Sequence, residues 1–381
     1  MGLIYLDNSA TTKPCESAVK AMNSAMVETW GNPSSLHRLG VEAEAIVNDV
    51  RQRIAELINC REDEIYFTGS GTESNNMAII GAAESLKRRG NKIVTTSVEH
   101  PSVLNTCKYL SENGFEVTYI KPQKDGHILV DDILNAVDDK TILVTMMLVN
   151  NETGCIFPVS EVAESLKERK SRALLHSDCV QAFGKINIDV EELGVDLLTA
   201  SGHKIHGPKG IGFLYKSKKI NNLKPIIHGG NQEKGLRSGT ESVPLIAALG
   251  GALDELCINS SLSNVKRLHT YAVEKLGTMD GVVINSPTKN ILPYIINVSV
   301  LGYRSEILLH FLETKDIFVS SGSACSKGKG SHVLNEMGLN PDLTDSALRI
   351  SFSKNTTTDE IDKLCDAVRE AQNSLRRKQG H

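Results

Sequence analysis

No stretch of this sequence approaches the ~18 uninterrupted apolar residues of a membrane-spanning helix. The opening residues, MGLIYLDNSATTKP, lack the basic flank and apolar run of a secretion signal. Both absences point to a cytoplasmic protein. An excess of either charge is missing too: 42 Lys and Arg stand against 46 Asp and Glu, a formal net charge of −4. No global field would therefore draw the chain to nucleic acid or to an anionic membrane. The eight cysteines, at positions 15, 60, 107, 155, 179, 257, 325 and 365, are spread singly, with no C-x-x-C pair. That spacing signals neither a zinc site nor a dithiol redox centre, and no metal is expected. In a reducing compartment the cysteines are thiols. Internal repeats, low-complexity tracts and long linkers are absent as well, so the domains are expected to pack together.

What is present is an alternation of short apolar runs with helical patterns. The runs are 65–68, 92–96, 115–120, 141–148, 173–176, 196–200 and 211–215. Such alternation predicts a mainly parallel, seven-stranded sheet covered on both faces, an α/β architecture. A helix over 72–89 fits between two runs, with Met77, Ile80 and Ala83 on one face and Gly90 at its end. After about residue 250 the order changes to helix, strands near 282–285 and 294–300, a helix at 306–313, a strand at 347–352 and a closing helix. The pattern TTDE (357–360) before that last helix matches a capping box. The expected division is a large α/β domain over 15–250 and a small α+β domain formed by 1–14 and 251–381.

Five segments carry candidate chemistry. SGHKIHGPKG (201–210) puts Lys204 just past an apolar strand in a polar, glycine-rich loop. Ligands of open α/β sheets bind at such strand ends, where a lysine amine can form a Schiff base; an isolated lysine is more often a solvated surface group. HSDCVQ (176–181) brings Asp178 and Gln181 to the same edge. A carboxylate there can keep a pyridine nitrogen protonated, or simply cap a helix. GSGTESN (69–75) opens a helix with Ser70 and Glu73 spaced as a capping box, and its small residues would let backbone N–H groups approach a phosphate. It lacks the G-K-[ST] and G-x-G-x-x-G patterns of nucleotide loops, so phosphate binding and plain capping both stand. VEHPS (98–102) places His100 before Pro101 at a helix start, where its ring could stack on a planar cofactor or have no role. A fifth segment, SSGSACSKGKG (320–330), surrounds Cys325 with small residues and with Lys327 and Lys329, which would lower a thiol pKa in what reads as an exposed, mobile loop. The other cysteines read as small buried hydrophobes, with Cys179 set apart because it adjoins Asp178.

The chain resembles the cysteine desulfurase family, the NifS/IscS type within the class V aminotransferase-like enzymes that use pyridoxal 5′-phosphate (PLP). The resemblance runs nearly end to end. It is carried by YLDNSATT (5–12), GNPSSLH (31–37), residues 68–76, EHP (99–101), NNETG (150–154), Asp178 and Gln181, SGHK (201–204), RSGTE (237–241), SGSAC (321–325) and LRIS (348–351). It implies the fold type I of PLP-dependent transferases. It also implies that Lys204 holds PLP, Asp178 pairs with the pyridine nitrogen, His100 stacks on the ring and Gln181 hydrogen-bonds the phenolic oxygen. Gly71, Thr72, Ser201 and His203 would hold the phosphate, and Thr240 would reach the phosphate of a neighbouring subunit in a homodimer. Asn151 and Arg349 would position the substrate, L-cysteine, with Arg349 clamping its carboxylate.

On that resemblance Lys204 removes the substrate's α-proton, PLP serves as electron sink, and the Cys325 thiolate attacks the substrate sulfur. Alanine leaves, and a persulfide stays on Cys325, carried by its loop toward an acceptor. The segment SKGKGSH (326–332) is shorter than in the housekeeping iron–sulfur enzymes of the family, and the chain has no extended tail after its last helix. The sulfur acceptor, an iron–sulfur scaffold or a tRNA-thiolating enzyme, is therefore left open. Other readings are a transaminase, which would not need Cys325, a selenocysteine lyase, and a non-catalytic scaffold, which would not need Lys204 and Asp178.

Overall fold

The computed structural model describes residues 2–321 and 330–377. Among the described residues twelve strands are formed: β1 (Ile4–Tyr5), β2 (Ile65–Thr68), β3 (Lys92–Thr96), β4 (Glu116–Ile120), β5 (Thr141–Thr145), β6 (Leu174–Asp178), β7 (Leu197–Ser201), β8 (Gly212–Lys216), β9 (Val282–Ile284), β10 (Ile295–Val300), β11 (Ile317–Phe318) and β12 (Ala347–Ser351). The seven apolar runs between residues 65 and 215 all become strands of one sheet, ordered β2-β8-β7-β6-β5-β3-β4. Pairings from β7 through β4 are parallel, while β8 runs antiparallel to both β7 and β2. Every residue of β5 and β7 is buried, as expected of strands covered on both faces. The run 141–148 outlasts its strand: the regular ladder ends at Thr145, yet Met146 and Leu148 still donate to the carbonyls of His176 and Asp178. His176 itself is wholly buried between Thr145 and Thr199, and burial pushes its imidazole down to about 3, so it is a neutral core residue.

The helix expected over 72–89 is Gly71–Leu86, with Ser70 as its N-cap accepting from the Glu73 N–H at 3.1 Å. Its apolar residues pack on the sheet with the helix Pro101–Glu112. Beyond residue 250, β12, β10 and β9 form an antiparallel sheet in that order. The long helices Ile258–Gly277 and Thr358–Ser374 pack on each other over it. The capping box at Thr357 and Glu360 is formed, with bonds of 2.8 and 3.3 Å. The N-terminal segment joins this part of the chain: β1 pairs with β11, and Asn8 and Ser9 bond Ser351. It then crosses to the loop after β7, so the ends of β3, β5, β6 and β7 face a wall built from the first dozen residues and from β12. No single helix among the described residues is long and apolar enough to cross a membrane.

Candidate active site

At that edge lies a cavity of about 610 Å³. Strand β7 ends at Ser201 and the chain tightens into a single 3₁₀ turn, Gly202–Lys204, which delivers Lys204 to the cavity floor. Its Nζ donates to the carbonyls of Ser9 at 2.5 Å and Ala10 at 2.8 Å. Burial, then the nearby charge of Arg349, lowers its pKa to about 8, with Asp7 and Asp178 opposing. An amine with that pKa is substantially neutral near pH 8 and so able to act as nucleophile or base.

Asp178, the last residue of β6, is held from two sides. Its Oδ1 accepts from the Val180 N–H at 3.0 Å and its Oδ2 from Asn75 Nδ2 at 2.7 Å. The same Asn75 nitrogen donates to Ser102 Oγ at 2.8 Å. The Ser102 hydroxyl hydrogen is thereby left for His100 Nδ1, 2.8 Å away, which also accepts the Ser102 backbone N–H at 3.2 Å. With Nδ1 an acceptor on both counts, the ring proton of His100 sits on Nε2. Burial pushes this imidazole below its ordinary range; Asp178 opposes and Lys204 reinforces the shift. Gln181 lines the same cavity, its Nε2 donating to the Ser9 carbonyl at 3.0 Å.

The first turn of the helix Gly71–Leu86 faces the cavity beside Ser201 and His203. The first N–H groups of a helix have no intrahelical acceptor; Ser70 takes that of Glu73, which leaves those of Gly71 and Thr72 for an anion. Side chains are excluded here on both sides. A Cβ on Gly71 would come within 2.7 Å of Val180 Cγ2, and one on Gly212, in β8, within 2.8 Å of the Ser70 carbonyl carbon. His203 bonds Thr11 Oγ1 at 3.2 Å, and burial followed by Lys204 pushes its imidazole down to about 4.

Arg349, on β12, closes the opposite wall. Its guanidinium donates to Asp7 Oδ1 at 2.9 Å and to the Asn151 carbonyl at 3.1 Å, and its Nε has no partner among the described residues. Asn151 thus reaches the cavity, and its backbone positions the arginine. Thr240 is exposed and does not line this cavity. Cys325 lies outside the described residues, as do Lys327 and Lys329. Cys179 is fully buried on Ser177, and burial drives its thiol pKa upward, which disfavours a thiolate there.

The model of the family Aminotransferase class-V matches residues 4–364. The chain belongs to this family. Among relatives of this class-V enzyme, a cysteine desulfurase IscS of Methanosarcina thermophila is 39% identical over 377 residues, covering 98% of this chain and 93% of its own. Of solved structures, a NifS-like protein matches with a TM-score of 0.93 at 35% identity, over 98% of this chain and 100% of its own. SspA in complex with cysteine matches with a TM-score of 0.82 at 33% identity, over 93% of this chain and 100% of its own. The fold type I expected from the sequence comes with the family.

Class-V aminotransferases depend on PLP, and so does this enzyme. The donor set fits that cofactor: an amine of lowered pKa, a doubly held carboxylate, the His100 ring in the same cavity and a helix start opening on Gly71 suit a carbonyl, a pyridinium, a planar ring and a phosphate. Several residues of the site were not singled out from the sequence. Asn75, Ser102, Glu99, Glu152 and the Ser9 and Ala10 carbonyls line the cavity, and Lys185 sits behind it. For Asn75 and Ser102 the signal was their place within the GSGTESN and VEHPS segments; a backbone carbonyl carries no signal of residue type.

Proposed function

We propose that this class-V enzyme is a cysteine desulfurase that takes sulfur from L-cysteine onto Cys325 and releases L-alanine for eventual sulfur transfer to an acceptor protein. The observation that carries the reading is Lys204, with its lowered pKa, converging with Asp178, His100 and Arg349 on one cavity in a chain similar throughout its length to cysteine desulfurases. When bound, PLP would draw electrons from the bonds at the α-carbon of an amino acid.

The roles of the chain's own residues are those the family resemblance implies, and the chemistry of each is compatible with its role. Gly71, Thr72, Ser201 and His203 hold the phosphate, with Thr240 supplied by the partner subunit. Asp178 pairs with the pyridine nitrogen, its carboxylate held in place by the Val180 N–H and Asn75 Nδ2. Gln181 gives an N–H to the phenolic oxygen. Arg349 and Asn151, which both line the cavity, receive the substrate carboxylate. Lys204 anchors the cofactor and moves the α-proton at Nζ. His100 would stack on the ring and can donate only from Nε2, since Nδ1 is occupied by Ser102. The Cys325 thiolate attacks the substrate sulfur; the carbon–sulfur bond breaks, a persulfide forms on Cys325, and the carbon fragment takes up a proton to leave as alanine.

A large body over 15–250 holding the cofactor, and a smaller one from 1–14 and 251–381 carrying Cys325, are part of this reading. So is a homodimer, supported by the exposure of Thr240 away from its own cavity and by exposed apolar side chains such as Val27, Trp30 and Leu36. A cytoplasmic location, where the medium keeps Cys325 reduced, completes it, with an iron–sulfur scaffold or a tRNA-thiolating enzyme as acceptor. Borohydride reduction of the yellow protein followed by peptide mapping should place the pyridoxyl group on Lys204. Mass spectrometry after brief exposure to cysteine should find one extra, reductant-labile sulfur on the Cys325 peptide. A label away from Lys204, or the sulfur on Cys179, would overturn the assignment.

A further inference from the structure

Lys185 is a buried lysine with an unusual set of neighbours. It is 6% exposed, it forms no ion pair among the described residues, and the charges that act on it most are two cations, Lys204 and Arg349. Burying an ammonium without a counter-charge is costly, and burial with those two charges lowers the pKa to about 7. Its Nζ lies 5.7 Å from the centre of the Tyr294 ring and donates one hydrogen bond, of 3.0 Å, to Gln181 Oε1.

That bond, together with the Ser9 carbonyl, decides how Gln181 faces the cavity. A glutamine amide has an oxygen end and a nitrogen end of nearly equal shape, so only its partners fix which way it points. Lys185 accepts nothing when charged and presents only hydrogens, so the oxygen must turn toward it. The nitrogen then turns toward the Ser9 carbonyl at 3.0 Å, the same carbonyl that receives Lys204. One Nε2 hydrogen goes to Ser9, and the other is left on the cavity side. As an ammonium the Lys185 nitrogen can only donate; as a neutral amine it still has hydrogens to donate, and the Ser9 carbonyl, which can only accept, keeps the amide nitrogen in the same direction.

We propose that Lys185 is a positioning residue: by occupying Gln181 Oε1 it holds the Gln181 amide with its N–H toward the cavity, where it receives the oxyanion of the bound cofactor. This rests on the reading of Gln181 given above. Without Lys185 the Ser9 carbonyl alone orients the amide, which is then less firmly held against turning its oxygen inward, where it would repel the same oxyanion.

The test is a double-mutant cycle on PLP binding, measured by equilibrium dialysis, with Lys185→Met and Gln181→Ala alone and together. If Lys185 acts through Gln181, K185M should weaken PLP binding about 10-fold, the size expected for a hydrogen bond to a charged group, and by less than about 2-fold once Gln181 is alanine. Lys185→Gln, which keeps an N–H donor without the charge, should stay within about 3-fold of the wild type. A second readout needs no cofactor: hydrogen exchange of the Gln181 side-chain amide should be faster in K185M than in the wild type. Equal losses from K185M in both backgrounds, a loss in K185Q as large as in K185M, or unchanged amide exchange would each overturn the proposal. If the wild type does not bind PLP at all, the reading of the cavity fails, and the amide exchange still decides the orientation of Gln181.

Discussion

Glu99 adjoins His100 and enters the cavity wall with one oxygen satisfied and one not. Its Oε1 accepts from Thr96 Oγ1 at 2.7 Å and from the Met147 N–H at 2.9 Å, while Oε2 is buried without a partner among the described residues. Burial raises its pKa from 4.5 to about 8, only partly opposed by those two bonds. A proton on Oε2 removes the charge that the site cannot solvate, so the folded state holds this proton more tightly than the unfolded chain does. The stabilisation is therefore complete below about pH 4.5 and is lost as pH rises toward 8. Glu99→Gln should flatten the fall in melting temperature across that interval, measured on cofactor-free protein. Glu152, raised to about 7 by burial, keeps part of the slope; an unchanged slope would mean that Glu99 is ionised in the fold.

At the scale of elements, the phosphate end of the cavity depends on two segments approaching without side chains between them. The helix Gly71–Leu86 starts beside β8, and a Cβ on Gly212 would meet the Ala200 carbonyl oxygen at 2.7 Å and the Ser70 carbonyl carbon at 2.8 Å. Both are backbone atoms, so relief requires the strand or the helix start to shift. Gly212→Ala should cost about 1–3 kcal/mol in denaturant unfolding, as overpacking does. It should also weaken PLP retention, because the displaced residues are those that present the Gly71 and Thr72 N–H groups. A variant with wild-type stability and wild-type retention would show that the helix start has slack. The elements themselves were largely legible in the sequence, since β5 and β7 are continuous apolar runs bounded by polar turns. The two-residue strands β1 and β11 were not, because a pair that short has no period to read.

Across the whole molecule, the cavity is assembled from chain segments far apart in sequence. Arg349 ties β12 to Asp7 near the N-terminus and to the Asn151 carbonyl after β5. Ser331 bonds Glu152, and His332 bonds the Ser97 carbonyl at 2.7 Å, so the residues following the Cys325 segment are fastened to the cavity wall. Thr240 is exposed and does not join it within one chain. If each cavity is completed by the partner subunit, mixing inactive Lys204→Ala with an inactive Thr240 variant should restore part of the activity, because one of the two sites in a heterodimer then carries both intact residues. No recovery in verified heterodimers would argue that each chain is self-sufficient.

The sequence by itself determined the seven strands of the main sheet, the capped helices at its edge and the loops that deliver Lys204, Asp178 and His100. Those are local features, written in the periodicity of apolar residues and in the chemistry of caps and turns. It also carried the family resemblance that gave these residues their roles. Only the tertiary structure decided that Asn75 links Asp178 to His100 through Ser102, that Ser9 offers its carbonyl to both Lys204 and Gln181, and that Lys185 lies behind Gln181. Each of these is a contact between groups of ordinary type, and their meaning comes from direction and burial, which no residue pattern encodes. The reversal of β8 belongs with them: an apolar run reads the same in either direction, and only its pairing with β7 and β2 gives it a sense.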